Sequence, residues 1–177
     1  MRYKLLGKSG MRVSELCLGT MTFGENWGWG ASKEESKLIF DHFAEQGGNF
    51  IDTSVNYTDG TSEKFLGEFT KSNRDHFVIA TKYTLTNPEQ TDPNQGGNSR
   101  KNMRHSVERS LKRLQSDYID LLYLHMWDFM TPVEEVLRGL DDLVRQGKVN
   151  YIALSDTPAW IAAEANARAE LRGWSRF

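Results

Sequence analysis

Residues 119–154 read IDLLYLHMWDFMTPVEEVLRGLDDLVRQGKVNYIAL, and this stretch decides the fold. It opens on a short apolar run, Ile119–Leu124, and closes on another, Val149–Leu154. Such short, unalternating runs are the pattern of parallel strands covered on both faces. Between them Val133, Val136, Leu137, Leu140, Leu143 and Val144 recur at helical spacing. Thr131-Pro132 reads as a cap followed by a first-turn proline, and Glu134 and Glu135 suit the positive end of the helix dipole. Gly147 ends the run. Strand, helix and strand in this order make a right-handed βαβ unit.

The same unit recurs upstream. Leu16–Leu18, Asn49–Asp52 and Phe77–Thr81 are three more strand candidates. Ser32 and Glu35 form a capping box for a helix whose buried stripe is expected at Leu38, Ile39, His42 and Phe43 and which stops at Gly47. Further helices are predicted at about 61–70, 99–115 and 158–171, and Tyr83 to Asn98 reads as a long loop. A short hairpin, 2–6 and 11–14 around Gly7-Lys8-Ser9-Gly10, precedes the first unit. The expected architecture is α/β, one domain over 1–177 with a parallel sheet of five βα units.

Composition narrows the function classes. The 38% hydrophobic content together with 15 glycines is ordinary for a globular chain and excludes disordered, collagen-like and low-complexity classes. Against 24 acidic residues stand 22 basic ones, a net charge of −2 that gives no electrostatic case for nucleic acid or membrane partners. Cys17 is the single cysteine, so no internal disulfide framework or cysteine-rich metal site is expected. His42, His76, His105 and His125 share no ligand spacing, so no metal site is predicted. No apolar run has the length of a membrane span, and Met1 to Gly10 carries no signal-like apolar core, so a cytoplasmic location is expected.

Parallel α/β folds place their reactive groups just beyond the carboxyl ends of the strands. Those positions hold Gly19-Thr20-Met21, Asp52, Lys82, His125 and Ser155-Asp156, and Tyr57 lies on the loop after Asp52. Taken singly, an Asp at a strand end is usually a cap, a Lys is usually solvated and a His is usually packed. Three unlike ionisable groups on one rim are less easily a coincidence. Their chemistry also fits together. Tyrosine with its ordinary pKa near 10 is a poor acid at neutral pH, and a nearby ammonium favours its phenolate. A carboxylate would hold the ammonium, and an imidazole N–H would polarise a carbonyl oxygen. That set suits the reduction of a carbonyl.

Gly19-Thr20-Met21, Phe50-Ile51-Asp52-Thr53, Tyr57 with Gly60-Thr61-Ser62-Glu63, Lys82, Leu124-His125 and Gly147-Lys148-Val149 resemble the aldo-keto reductase superfamily. The resemblance implies a (β/α)8 TIM barrel that uses NADPH, with Asp52, Tyr57, Lys82 and His125 as the catalytic tetrad. It implies that Tyr57 is the general acid, that Lys82 tunes it, that Asp52 supports Lys82 and that His125 positions a small carbonyl substrate. Gly19, Thr20, Met21, Asp52 and Ser155 resemble the family's nicotinamide contacts, and Asp156 stands where many members have Asn. Trp27, Trp29 and Trp127 lie in rim loops, where aromatic walls can line a small carbonyl pocket, with ordinary loop packing as the plainer reading. Gly28-Trp29-Gly30 lacks the third glycine and the preceding strand of a Rossmann fingerprint. The basic run Arg100, Lys101, Arg104, Arg109, Lys112 and Arg113 is expected on the solvated face of its helix.

A closed barrel takes eight units and about 250 residues, whereas five are present. The expectation is therefore a partial barrel truncated before the sixth strand. In the family the missing units supply the aromatic that stacks on the nicotinamide, the loop over the pyrophosphate and the basic residues for the 2′-phosphate. Strands left unpaired at the sheet edges predict a homo-oligomer formed through them. Three readings stay open: an NADPH-dependent reductase of aldehydes or ketones, a truncated and catalytically inactive copy, and a reductase-like binding subunit similar to the auxiliary subunits of potassium channels. The tetrad weighs against the third.

Overall fold

Strands β3 (Cys17–Gly19), β4 (Phe50–Asp52), β5 (Val78–Tyr83), β6 (Ile119–Leu124) and β7 (Val149–Leu154) lie side by side in chain order in one parallel sheet. The computed structural model describes residues 1–86 and 91–177. Ahead of the sheet, β1 (Tyr3–Leu5) and β2 (Arg12–Ser14) form the expected antiparallel hairpin. Helices α1 (Lys33–Glu45), α2 (Thr61–Thr70), α3 (Arg100–Leu114), α4 (Val133–Arg145) and α5 (Ala159–Arg172) alternate with the strands. Sequential order with right-handed crossovers puts every helix on one side of the sheet. The result is an arc of five βα units, a partial TIM barrel.

Register separates the two faces. Leu18, Ile51 and Ile79 align across three strands, as do Thr81, Leu122 and Ile152, and these rows point toward the helices. There they join Phe40, Leu66, Met103, Val107, Leu114, Val136 and Leu140 in one continuous core. The other face carries Gly19, Asp52 and Ala80 in one row and Lys82, Tyr123 and Ala153 in another. That face has no helical cover among the described residues; Cys17 and Tyr151 are exposed on it and Tyr123 is half-buried. Helices α2 and α3 approach closely because residue 67 is glycine: a Cβ there would strike the Arg113 carbonyl.

Two local expectations need correction. The Ser32–Glu35 capping box is present and Phe43 packs on the core as expected, but the buried residues of α1 are Ser36 and Phe40, and His42 is exposed. Leu38 and Ile39 are 71% and 45% exposed. Helix α1 packs beside α2, and tertiary neighbours rather than hydrophobicity alone choose its inner face. At α4 the N-cap is Pro132, not Thr131. The Thr131 hydroxyl donates instead to Asp128 Oδ2 at 2.8 Å, drawn away by a carboxylate that also accepts from the Met130 and Thr131 amides. The long segment after β5 is tied back where Gly97 N donates to the Thr84 carbonyl at 2.9 Å, while its residues 87–90 lie outside the described residues.

Candidate active site

Pairing of Asp52 with Ala80, and of Lys82 with Tyr123, sets Asp52 and Lys82 on neighbouring strands of the open face. His125 follows β6 directly, and its backbone N–H donates to the Tyr83 carbonyl at 3.1 Å. Lys82 Nζ donates to Asp52 Oδ2 at 2.6 Å, to the Thr53 carbonyl at 2.8 Å and to Tyr57 Oη at 3.1 Å. An ammonium has three N–H bonds, and all three are used. Tyr57 Oη therefore receives a hydrogen bond and keeps its own proton for another acceptor. The ammonium also lies 4.7 Å from the Tyr57 ring centroid, a favourable cation–π position.

Burial pushes the Asp52 carboxyl upward, while the attached Lys82 ammonium pulls the other way. Burial, then the Lys82 charge, push the His125 imidazole down to about 4, so it is neutral at physiological pH. Its Nδ1 lies 3.2 Å from Ser54 Oγ, and its ring meets Tyr57 edge-on with centroids 6.0 Å apart. Cys17 shares this face; the residue is exposed, yet partial desolvation of its thiol and the Asp52 charge push that thiol up to about 12, which keeps it protonated and a poor nucleophile.

Tyr57 owes its position to an unusual turn. Thr58, Asp59 and Gly60 take consecutive positive φ values of 44°, 59° and 88°. Left-handed backbone costs a non-glycine residue about 1–2 kcal/mol, so the turn persists only where its surroundings hold it. Thr58 Oγ1 donates to the Phe23 carbonyl at 2.6 Å and accepts from Ser62 N at 3.1 Å. Trp27 Nε1 donates to Asp59 Oδ1 at 3.1 Å. From α3, Arg113 Nη1 donates to the Val55 carbonyl at 2.8 Å and to Glu63 Oε2 at 3.2 Å. Glu63 is fully buried and also accepts from Thr81 Oγ1 at 2.7 Å. A side chain at residue 60 would collide with the Arg113 guanidinium, so this position needs glycine twice over, for its φ and for that approach.

Arg113 is thus a correction to the solvated basic face expected of α3: its side chain is only 17% exposed. Its i, i+4 partner Arg109 is half-buried beside it. The signal available in the sequence was its position directly before the buried Leu114. Thr58, Ser54 and Asn56 likewise carry no signal in the sequence, because hydroxyls and amides beside a tyrosine have no distinctive spacing.

The remaining candidates divide. Gly19 ends β3 beside Asp52, with open space where a Cβ would be. The Thr20 side chain turns inward, its hydroxyl 2.9 Å from the Asp52 carbonyl and 2.8 Å from Ser62 Oγ; its N–H donates to the Asp52 carbonyl, its own carbonyl accepts from Phe23 N and Ser62 Oγ, and the residue is fully buried. Met21 is exposed. Ser155 N donates to the Leu124 carbonyl, and the Asp156 carbonyl accepts from Trp127 N. Among the described residues neither the Ser155 hydroxyl nor the Asp156 carboxylate has a hydrogen-bond partner within the chain. Both stand at the end of β7, free for a ligand with N–H and C=O groups. Trp27 is half-buried and meets Trp29, which is exposed, with ring centroids 5.7 Å apart and planes tilted by 47°. Trp127 is buried in the core, not set on an open wall.

The chain matches the Aldo/keto reductase family over residues 15–175. It is 51% identical over 178 residues to norsolorinic acid reductase stcV of Emericella nidulans, covering 96% of this chain and 46% of that relative. Norsolorinic acid reductase A of Aspergillus parasiticus is 46% identical over 185 residues, 99% of this chain and 48% of the relative. An aryl-alcohol dehydrogenase [NADP(+)] of Phanerodontia chrysosporium is 44% identical over 183 residues, 95% and 47% respectively. The chain spans about half the length of the curated relatives it matches.

Proposed function

The chain belongs to the aldo/keto reductase family, and from that premise we propose that its tetrad reduces the carbonyl of a small aldehyde or ketone to an alcohol with NADP(H). The observation that carries this reading is the saturated Lys82 ammonium, which holds Tyr57 Oη as an acceptor and leaves its proton free. NADPH, when bound, supplies the hydride that reaches the carbonyl carbon. His125, neutral, orients and polarises the carbonyl oxygen through a ring N–H. Tyr57 gives its proton to that oxygen, and the phenolate left behind faces the Lys82 ammonium at 3.1 Å. Asp52 holds Lys82 in place at 2.6 Å.

The nicotinamide end of the cofactor fits the residues present. A carboxamide carries two N–H bonds and one C=O, which the Asp156 carboxylate and the Ser155 hydroxyl complement, and Gly19 leaves space for a flat ring. A cytoplasmic setting accords with the same reading; among the described residues no helix is long and apolar enough to cross a membrane. Fluorescence titration of the chain with NADPH tests the reading directly. Saturable binding is expected, with Tyr57→Phe keeping that binding and losing carbonyl turnover. Turnover unchanged in Tyr57→Phe would refute the mechanism.

One observation favours a second reading. Among the described residues β3 and β7 are each paired on one side of the sheet only, and Leu16 beside β3 is 65% exposed. A domain with such edges associates with further chains through them, or keeps the fold without holding the cofactor. A folded chain that binds no NADPH would select this reading, and sedimentation of a clean monomer would remove the association.

A further inference from the structure

His125 can polarise a carbonyl only if its single proton sits on the nitrogen that faces the substrate. Nδ1 faces Ser54 Oγ at 3.2 Å, so the nitrogen available to a substrate is Nε2. Which nitrogen carries the proton is settled by what Ser54 does. The Ser54 side chain is buried, and its one hydroxyl proton has two main claimants, the Asn56 amide at 2.7 Å and His125 Nδ1. The Lys82 carbonyl, at 3.4 Å, is a weaker third.

Two arrangements share these heavy-atom positions. In one, Ser54 donates to the Asn56 amide oxygen, Nδ1–H donates to Ser54, and Nε2 is left as a bare lone pair that repels a carbonyl oxygen. In the other, the Asn56 amide is turned over so that its NH2 donates to Ser54, Ser54 donates to Nδ1, and the proton stays on Nε2. The two ends of an amide have the same shape, so packing does not separate them and electrostatics does. Asn56 lines a small cavity with Arg109, Arg113 and Asp59. Arg109 has no hydrogen-bond or ion-pair partner in the described chain, and the Asp59 carboxylate already accepts from Trp27 Nε1. As the amide stands, its Oδ1 faces Ser54; turned over, it sets its oxygen toward the cavity that Arg109 and Arg113 also line, where positive charge favours an oxygen over an NH2.

We propose that Ser54 and Asn56 are positioning residues that set the Nε2–H tautomer of His125, with Asn56 donating to Ser54 and Ser54 donating to Nδ1. The proposal rests on the carbonyl-reductase reading for its purpose. Its test does not depend on activity.

The experiment is 15N NMR of the His125 ring at pH 8, assigned with His125→Gln, in the native chain, in Ser54→Ala and in Asn56→Asp. The native ring is expected as the Nε2–H tautomer. Ser54→Ala removes the donor and is expected to give a mixture. Asn56→Asp is the sharper variant, because a carboxylate only accepts: it draws the Ser54 proton to itself, and the ring is expected to invert to Nδ1–H. A native ring protonated at Nδ1 would overturn the proposal. So would an Asn56→Asp ring that keeps Nε2–H or carries both protons. In a parallel turnover assay Asn56→Asp is expected to lose about a hundredfold in kcat/KM, the scale of a lost oxyanion-type donor. A native chain with no turnover but with the expected ring signals would refute the reductase reading and leave the tautomer assignment standing.

Discussion

Replacing Arg113 with methionine tests the clamp beneath the tyrosine turn. The guanidinium makes two hydrogen bonds, to the Val55 carbonyl at 2.8 Å and to Glu63 Oε2 at 3.2 Å. Glu63 is 0% exposed and, among the described residues, would keep only the Thr81 hydroxyl as a donor. Removing one partner of a buried pair costs about 3–5 kcal/mol, most of it the penalty on the charge left behind. The Arg113 side chain is 17% exposed and one donor to Glu63 survives, which places the loss near the lower end, about 3 kcal/mol. For a chain of this size that is a fall in Tm of about 6–12 °C. Urea unfolding of the native chain, Arg113→Met, Glu63→Gln and the double variant reads the coupling. The double variant is expected to be about 2 kcal/mol better than the sum of the singles, because the neutral amide no longer leaves a charge stranded. A loss below about 1 kcal/mol in Arg113→Met would match an exposed pair and refute the clamp.

Two other outcomes follow from burial. The folded-state pKa of His125 is pushed down to about 4 from an ordinary 6.5, so between those values the unfolded chain holds more protons. Stability contributed by the neutral ring is present in full above pH 6.5 and is lost as pH falls toward 4. Unfolding free energies at pH 5 and 7 are expected to differ less in His125→Gln than in the native chain, and an equal difference in both would contradict the shift. The Tyr83 hydroxyl is fully buried with no hydrogen-bond partner among the described residues. Tyr83→Phe is therefore expected to be neutral or stabilising by about 1 kcal/mol in thermal melts, because an unpaired buried hydroxyl costs about that much. A destabilisation of about 1 kcal/mol would mean that the hydroxyl has a partner after all.

Much of the fold was legible because its signals are local. Strand runs such as Val149–Leu154 and helix stops such as Gly147 depend on a few adjacent residues, and the structure places β6 and β7 at the bounds read from the sequence. Strand parity then carries Asp52 and Lys82 to one face, and the strand ends bring His125 to the same rim. Helix α1 shows where such reading stops. Leu38 and Ile39 are as apolar as a buried stripe should be, yet Ser36 and Phe40 face the core, because the position of α2 rather than the local period chose the inner side. Trp127 shows the same limit at the rim, where an aromatic two residues past His125 packs inward.

By itself the sequence determined the parallel α/β architecture, the order of its units and which ionisable residues reach the strand ends, since periodicity and register act over short range. Only the tertiary structure decided what those residues do to one another. Saturation of the Lys82 ammonium joins residues on different strands, and the pinning of the left-handed turn joins Val55 to Arg113 across 58 positions. The proton on His125 depends on Ser54, 71 positions away. Such partners meet only when the helices have packed against the sheet, so no local pattern encodes the meeting.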